Sequence, residues 1–271
     1  MDSPYIVEET DDYAVVFKPA KMHSDILKEE FTLRHRGTED VVTIIEWYQN
    51  HKRYNKDVRL MHRLDFETNG LVLFAKNEKS YLFFKELQDK GEFVKEYSTI
   101  CIHPKIESNI SNPSLQNGYN LPGFPPFPPP NLRFDVSVSS SANDSSVIES
   151  YFRPYGPGRK QVRPIVDIPK KHKEIAKDKG GFYQTEIIDV KDSEENKIFT
   201  VRIKRGFRHQ IRCHLCWAGF PILNDPLYSN AETVSPESFL ALKSHALFFA
   251  DPASGEKREC RIDSIKVVTS F

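Results

Sequence analysis

The chain has 271 residues, of which 39% are hydrophobic and 28% are charged, which is ordinary for a globular protein with one large domain or two small ones. Its 38 Lys and Arg residues equal its 38 Asp and Glu residues, so the net charge neither indicates nor excludes a polyanionic partner. The four cysteines are too scattered for a disulfide framework, no apolar run is long enough to span a membrane, and no secretory signal follows Met1, so we expect a cytoplasmic protein.

The first hundred residues predict four strands and two helices. Alternating or continuous apolar residues mark the strands, and apolar residues three or four apart mark the helices. We expect Gly91 to end the second helix, because glycine readily adopts the left-handed conformation of helix C-termini. In chain order these elements are two strands within 5–18, a helix at 40–51, a strand at 71–75, a helix at 77–88 and a strand at 93–102.

This pattern breaks over residues 104–150, which contain LPGFPPFPPP and SVSSSANDSS. Proline and serine at this density favour neither a strand ladder nor a helix interior. The segment is therefore predicted to be an insertion or surface loop, and a polyproline ligand for a partner is the alternative.

Regular structure is predicted again from about Val147 to the C-terminal region. We expect Gly219 to end the first helix of this part and Ser235-Pro236 to open a second, short one. Because strands outnumber helices and do not alternate strictly with them, the fold class is α+β with a mixed or antiparallel sheet. The elements are strands at 182–190 and 198–204, helices at 208–218 and 235–242, and strands at 245–250 and 258–262.

Two stretches are locally basic although the whole chain is neutral. Residues 197–224 contain six Lys or Arg and no Asp or Glu, and residues 151–180 contain nine Lys or Arg and three acids. Such a stretch is usually a solvated face, but it also suits a phosphate backbone.

A second feature is the sequence MHRLDFETNG, at residues 61–70. Asn69-Gly70 is a turn signal, because both residues tolerate positive φ. The segment is either a hairpin turn alone or a turn that presents Asp65 as a reacting carboxylate.

The predicted helix at 208–218 offers Asp65 a partner. Helical spacing places Arg212 on one arc with Ile211 and Leu215, and a guanidinium among apolar neighbours needs a carboxylate. Asp65 is a leading candidate, and an adjacent Arg would keep it ionised, as a nucleophile requires. The alternative is that Arg212 extends to solvent.

A metal site is the other reading of this helix. His209, Cys213 and Cys216 share a second arc, and imidazole with two thiolates suits zinc. Three such residues on one short helix rarely converge on one ion, so core thiols and a structural histidine are favoured. The chain contains no G-x-S-x-G, P-loop or G-x-G-x-x-G motif, which leaves a carboxylate nucleophile with aromatic and basic neighbours as the candidate chemistry.

Five motifs in one order resemble the RluA-like family of RNA pseudouridine synthases. HRLDFETNGLVLFAK at 62–76 resembles its H-R-L-D-x-x-T-S-G-L-L-L-x-A-K signature, and VKEYSTI at 94–100 resembles its K-x-Y motif. GFRHQIRCHLCWAGFPILNDPLYS at 206–229 resembles its G-R-T-H-Q-I-R-x-H-L…G-x-P-I-x-G-D-x-x-Y block. DDYAVVFKPAKM at 11–22 and HALFFADPASGE at 245–256 resemble its terminal motifs.

The resemblance implies a fold and a reaction. It implies a single catalytic domain over residues 1–271, with a curved mixed sheet flanked by helices and an RNA cleft between two halves. The first motif begins near residue 5, so we expect no N-terminal S4 domain of the kind often found in this family. The expected activity is isomerisation of uridine to pseudouridine in ribosomal or transfer RNA by a monomer, without cofactor, metal or membrane. The alternatives are a catalytically silent RNA-binding module and a zinc-dependent enzyme that uses Cys213 and Cys216.

The resemblance also implies roles for individual residues. Asp65 matches the nucleophile, Tyr97 the tyrosine that packs on the target base, and Arg212 the arginine that pairs with the nucleophile. Arg63 matches a residue that fills the space left by the flipped uridine. The motif residues that become candidates for RNA contact are His62, Arg63, Thr68, Lys95, Arg205, Arg208, His209 and Gln210.

The chain departs from the family pattern at three places. Phe207 and Arg208 stand where the family has Arg and Thr, so phosphate contacts there are expected to differ. Asn69 replaces Ser and Asn224 replaces Gly, and both asparagines suit tight turns.

Overall fold

The structure is a computed structural model that describes most, but not all, of the chain. The described residues are 3–25, 42–51, 57–102, 124–125, 146–166, 182–193, 196–229 and 238–265. The predicted insertion at 104–150 therefore lies almost entirely outside them. Residues 167–180 of the basic stretch at 151–180 lie outside them as well.

The described residues form more strands than helices, as the sequence predicts. The helices are α1 (Ile44–His51), α2 (Glu78–Lys90) and α3 (Gln210–Trp217). The strands of the N-terminal half are β1 (Tyr5–Glu9), β2 (Tyr13–Lys18), β3 (Arg59–Leu60), β4 (Asn69–Ala75) and β5 (Val94–Ile102). Those that follow are β6 (Ser146–Tyr155), β7 (Gln161–Ile165), β8 (Tyr183–Asp192), β9 (Asn196–Ile203), β10 (Leu242–Ala250) and β11 (Lys257–Arg261).

The chain forms two compact units. The first contains residues 1–96 and 243–264, and the second contains residues 97–242 and 265–271. Among the described residues, no helix is both long and apolar enough to cross a membrane.

The first unit is a mixed sheet with the strand order β1-β2-β4-β10, to which β3 adds beside β4 and β11 beside β10. Its pairs are antiparallel, except that β4 and β10 run parallel. Strands β2 and β4 are buried along almost their whole length, which fits their continuous apolar sequences.

Helix α2 closes one side of this unit. Asn77 Oδ1 accepts a hydrogen bond from Ser80 N at 2.8 Å, and Gly91 ends the helix with φ of 70°. The helix contributes Phe84 and Leu87 to a core that includes Tyr13, Leu73 and Phe249. The predicted cap and stop of this helix are therefore confirmed, and the helix extends two residues past Gln88.

The second unit has the strand order β5-β9-β8-β6-β7. The pairs β8–β9, β6–β8 and β6–β7 are antiparallel, and β8 and β9 form the predicted hairpin. All eight residues of α3 are buried, so every polar side chain on this helix needs a partner inside the unit.

Three sequence predictions need correction. Asn69 and Gly70 begin β4 instead of forming the turn, which lies one step earlier, where Thr68 N donates to Asp65 O at 3.1 Å. Helix α3 begins at Gln210 instead of at residue 208, because His209 has φ of 56° and interrupts the helical path. Residues 238–242 of the predicted short helix are not helical, since Leu242 already begins β10, and residues 235–237 lie outside the described residues.

Gly70 occupies a position that no other residue fits. Its φ is 120°, and a Cβ atom there would lie 2.2 Å from Ser244 O and 2.6 Å from Ser244 N. Gly70 faces Ser244 in the parallel pair of β4 and β10. The glycine therefore permits the close approach of these two strands.

We expect Gly70→Ala to lower the free energy of unfolding by about 3 kcal/mol or more, because the added methyl group meets backbone atoms in a strained conformation. Gly255→Ala is the matched control in the same unit, since Gly255 also has positive φ, at 74°, but has open space around it. The control should cost only about 1 kcal/mol. Urea denaturation of the two variants measures the difference, and equal losses would show that strand approach is not the cause.

Candidate active site

Asp65 lies in the turn between β3 and β4 of the first unit and is half-buried. Two contacts to the segment after β2 hold this turn on either side of the aspartate. Ser24 Oγ donates to Leu64 O at 2.8 Å and accepts from Leu64 N at 3.0 Å, and Lys21 N donates to Phe66 O at 2.8 Å. The backbone on both sides of Asp65 is therefore fixed by hydrogen bonds from a second segment.

Lys18 supports that second segment from the interior. It ends β2, has no exposed surface, and donates from Nζ to Pro19 O and Met22 O, both at 2.8 Å. Burial lowers the pKa of Lys18 to about 7, and the nearby carboxylates of Asp65 and Glu67 oppose that shift. Lys18 therefore interacts electrostatically with both carboxylates inside the first unit.

The other candidates in the first unit are His62, Arg63, Thr68 and Lys95, and they differ in burial. His62 and Lys95 lie on the ring of Phe93, with a His62–Phe93 centroid distance of 5.3 Å and Lys95 Nζ 4.6 Å from the ring centroid. Lys95 and Thr68 are buried, His62 is half-buried and Arg63 is exposed. Direct RNA contact by His62, Thr68 and Lys95 stays a prediction, and the contacts described here are internal.

Arg212 has a buried carboxylate partner in its own unit. Its Nε donates to Asp225 Oδ2 at 2.8 Å and its Nη2 donates to Asp225 Oδ1 at 2.7 Å. The two side chains are 2% and 0% exposed. This bidentate pair shows that Arg212 is directed inward, so the alternative that it extends to solvent is wrong.

Asp225 is fixed on its other side by the backbone. Its Oδ1 also accepts from Leu227 N at 2.9 Å and from Tyr228 N at 3.1 Å. The carboxylate therefore binds one edge of the planar Arg212 guanidinium and fixes its orientation. Sequence reasoning did not single out Asp225, although it stands in the segment PILNDPLYS, where an aspartate follows an apolar run.

Asp65 belongs to the first unit and Arg212 to the second, and their pairing stays a prediction. Tyr97 also belongs to the second unit, on β5, and is 5% exposed. Its predicted contact with the target base stays a prediction.

The remaining candidates lie in the segment before α3 and at the first residue of that helix. Arg205 and Arg208 are exposed, and His209 is half-buried with Nδ1 3.2 Å from the Tyr228 hydroxyl. Gln210 is buried, where its Oε1 accepts from Phe207 N at 2.9 Å and its Nε2 donates to Gln184 O at 2.8 Å. The structure therefore brings two exposed arginines together with two residues that shape the loop.

The cysteines of α3 lie in the core. Cys213 Sγ lies 3.5 Å from Val162 O, and Cys216 Sγ lies 3.1 Å from Tyr228 O. Burial raises the pKa of both thiols well above the usual range. Because His209 precedes the helix in a left-handed conformation, the shared arc that suggested zinc is not present. Within the described ranges, no three His, Cys, Asp or Glu residues are grouped as metal ligands.

Comparison with known proteins decides the family. The family model described as RNA pseudouridylate synthase matches residues 12–217, which include the Asp65 turn and all of α3.

The chain belongs to the RNA pseudouridylate synthase family. Among curated proteins, it is 27% identical over 229 residues to an uncharacterised protein of Caenorhabditis elegans, covering 83% of this chain and 39% of that one. It is 25% identical over 202 residues to an uncharacterised RNA pseudouridine synthase of Mycoplasma pneumoniae, covering 73% and 50%. It is 22% identical over 269 residues to ribosomal large subunit pseudouridine synthase C of Rickettsia typhi, covering 93% and 65%. The chain thus matches between two fifths and two thirds of these relatives' lengths.

Solved structures share the fold. The human protein RNA pseudouridylate synthase domain containing 1 matches with a TM-score of 0.60 and 15% identity, over 96% of this chain and 84% of that one. The human protein RNA pseudouridylate synthase domain containing 4 matches with a TM-score of 0.56 and 17% identity, over 96% and 88%. The expected pseudouridine synthase fold of class α+β is therefore confirmed.

We expect Asp225→Asn to lower the free energy of unfolding by about 3–5 kcal/mol, because it leaves the buried Arg212 charge against a neutral amide. Asp189→Asn is the matched control in the same unit. Asp189 pairs with Lys191 at 3.4 Å, and their side chains are 43% and 72% exposed. Losing such a pair should cost at most about 1 kcal/mol. Urea denaturation compares the two, and a small loss at Asp225 would mean that water reaches the Arg212 guanidinium.

A second expectation concerns acid stability. His214 is fully buried, with Nε2 2.9 Å from Ser150 Oγ and Nδ1 2.9 Å from Thr185 Oγ1, and burial lowers its pKa to about 3. Burial, with a smaller contribution from Lys95, lowers the pKa of His62 to about 3 as well. Below the ordinary histidine pKa of about 6.5, the unfolded chain binds protons that the folded chain excludes. Stability should therefore fall as the pH drops from about 6.5 toward 3.

His214→Gln tests this linkage. The variant should reduce the dependence of unfolding free energy on pH between about 6.5 and 4 by up to about 1.4 kcal/mol per pH unit. Chemical denaturation at several pH values measures the slope, and an unchanged slope would mean that His214 titrates alike in both states.

Proposed function

We propose that this protein is an RNA pseudouridine synthase that isomerises uridines in ribosomal or transfer RNA, with Asp65 as the nucleophile. The observation that carries the proposal is the placement of Asp65, on a turn fixed by hydrogen bonds at Leu64 and Phe66 and beside the buried cation Lys18. Membership of the RNA pseudouridylate synthase family supports the reaction class.

A nucleophilic carboxylate must be ionised and held in position. Lys18 supplies positive charge from inside the first unit, and the hydrogen bonds around residues 64 and 66 restrain the backbone. Arg212 is proposed to supply a second positive charge to Asp65. Its orientation is set by Asp225, which holds its Nε and Nη2 atoms.

The proposed reaction needs no net addition or loss of atoms. The target uridine leaves its stack, at a cost of a few kcal/mol for unstacking. Asp65 attacks either C1′ of the ribose or C6 of the uracil, and the bond between N1 and C1′ breaks. The uracil turns while it is held, C5 bonds to C1′, and the bond to Asp65 breaks and restores the carboxylate. The proton on C5 is then lost and N1 gains one. These steps use side chains alone, so we propose no cofactor or metal.

Two further residues are proposed to handle the flipped base. Tyr97, on β5, is proposed to pack on the uracil and act at C5. Arg63 is exposed in the Asp65 turn and is proposed to occupy the gap that the flipped uridine leaves. Both roles extend the match of the two motifs and depend on the flipping step.

The substrate class is proposed from the relatives. The Rickettsia typhi relative is named a ribosomal large subunit pseudouridine synthase, which favours ribosomal RNA over transfer RNA. We propose that the protein acts as a cytoplasmic monomer.

The test is pseudouridine mapping on unmodified ribosomal and transfer RNA transcripts after incubation with the protein. Asp65→Asn should abolish product formation, because the neutral amide is a poor nucleophile. Asp89→Asn is the matched control, since it makes the same change at an exposed position on α2. Full activity in Asp65→Asn would refute the role of Asp65, and RNA binding without product in the unchanged protein would support a silent RNA-binding module instead.

A further inference from the structure

The hairpin formed by β6 and β7 has a surface that the catalytic proposal does not use. Its strands pair from Tyr151 with Ile165 to Tyr155 with Gln161. A short 3-10 turn, Pro157–Arg159, connects them, and the turn is exposed. Residues 151–166 contain four Lys or Arg and no Asp or Glu, so this hairpin is locally basic.

The turn has a defined shape. Gly156, Gly158 and Arg159 have φ of 77°, 64° and 54°. Arg159 thus adopts a conformation that is costly for a side chain other than glycine. The charged Arg159 side chain therefore stands at a position that glycine would occupy with less strain.

A groove of about 660 Å³ lies against this turn. It is lined by Tyr155, residues 156–158, Lys160, Gln161, Arg163 and Leu227. Arg163 is buried beneath it, with its guanidinium carbon 4.3 Å from the centroid of the Tyr155 ring. The lining is therefore mostly apolar and suits a ribose or base, Lys160 lies at its edge, and Arg159 lies in the adjoining turn.

The hairpin is joined to the basic segment before α3. Arg208 Nη2 donates to Arg159 O at 2.5 Å and to Gln161 O at 3.3 Å. Gln161 Nε2 donates to Leu227 O at 3.2 Å, and Val162 N donates to the Tyr228 hydroxyl at 2.8 Å. The turn is therefore held against the segments at 208 and 227–228.

The local acids do not neutralise this surface. Asp225 is buried in its pair with Arg212, and Glu149 Oε2 accepts from Gln184 at 2.9 Å. Considering only the described residues, no carboxylate pairs with the exposed Arg159, Lys160 or Arg208. Unneutralised cations on a shaped turn suit the phosphate oxygens of a polyanion.

We propose that the groove at the β6–β7 turn binds the RNA backbone, with Arg159 and Lys160 contacting phosphates and Arg208 holding the turn in shape. This inference rests on the proposed function for the choice of RNA as the ligand. Cations at an exposed turn supply affinity and no base readout, so the surface would strengthen RNA capture without selecting the uridine.

The experiment measures binding of a labelled stem-loop RNA with uridines in its loop by fluorescence anisotropy, at several salt concentrations. The test variant is Arg159→Gly with Lys160→Ala. Glycine suits the positive φ of residue 159 and alanine replaces an exposed side chain, so folding should be preserved. The control is Lys79→Ala with Lys257→Ala, which removes the same charge from exposed positions of the first unit.

The test variant should bind the RNA roughly tenfold more weakly at about 0.1 M salt, and the slope of log K against log salt should fall by about 1.4 to 1.8, since each phosphate contact contributes about 0.7 to 0.9. The control should change neither quantity. Equal weakening in both variants, or no weakening in the test variant, would overturn the proposal.

Turnover separates this inference from the proposed function. If the unchanged protein makes pseudouridine, the test variant should raise the KM for RNA and keep kcat. If the unchanged protein makes no pseudouridine but its RNA affinity depends on Arg159 and Lys160, the proposed function fails and the hairpin inference stands. If the protein makes pseudouridine and the variant leaves KM and affinity unchanged, the hairpin inference fails and the function stands.

Discussion

The buried ion pair of Arg212 and Asp225 constrains the second unit more than any other contact described. A helix with no exposed residue still carries a guanidinium, and removing a charge from water is costly unless its partner is well placed. Asp225 meets this requirement with both oxygens, and the backbone at residues 227–228 fixes the carboxylate in turn. The loop after α3 and the helix itself are thereby placed together, and the β6–β7 hairpin contacts the same loop through Tyr228.

The first unit also buries a basic side chain, that of Lys18. Lys18 is buried at the end of β2, where its Nζ donates hydrogen bonds to two carbonyl oxygens and the carboxylates of Asp65 and Glu67 offset part of its burial cost. The same residue therefore stabilises the segment that restrains the Asp65 turn, and it is proposed to supply positive charge to Asp65. A lysine suits both roles because its flexible side chain ends in a compact charge with three rotatable hydrogen-bond donors.

Local sequence predicted the three helices and eight of the eleven described strands, but it did not predict β3, β6 and β7, and it identified tertiary partners poorly. The cap at Asn77, the stop at Gly91 and the strands depend on neighbours within a few residues, which the sequence displays directly. Arg212 needed a buried carboxylate, but the helical spacing could not select Asp225, because only tertiary folding brings that loop back. Gly70 was read as a turn glycine, whereas its positive φ permits β4 to approach β10, a strand far away along the chain. The family motifs indicated Asp65 without showing that Lys18 lies near it.

All four cysteines are buried, and this has a practical consequence. Burial raises the pKa of Cys101, Cys213, Cys216 and Cys260, so the reactive thiolate is scarce at neutral pH. The folded protein should therefore resist alkylating reagents and mild oxidants. A cysteine introduced on the surface would be the one readily labelled thiol, which allows a dye or crosslinker to be placed at a chosen position without first removing the native residues.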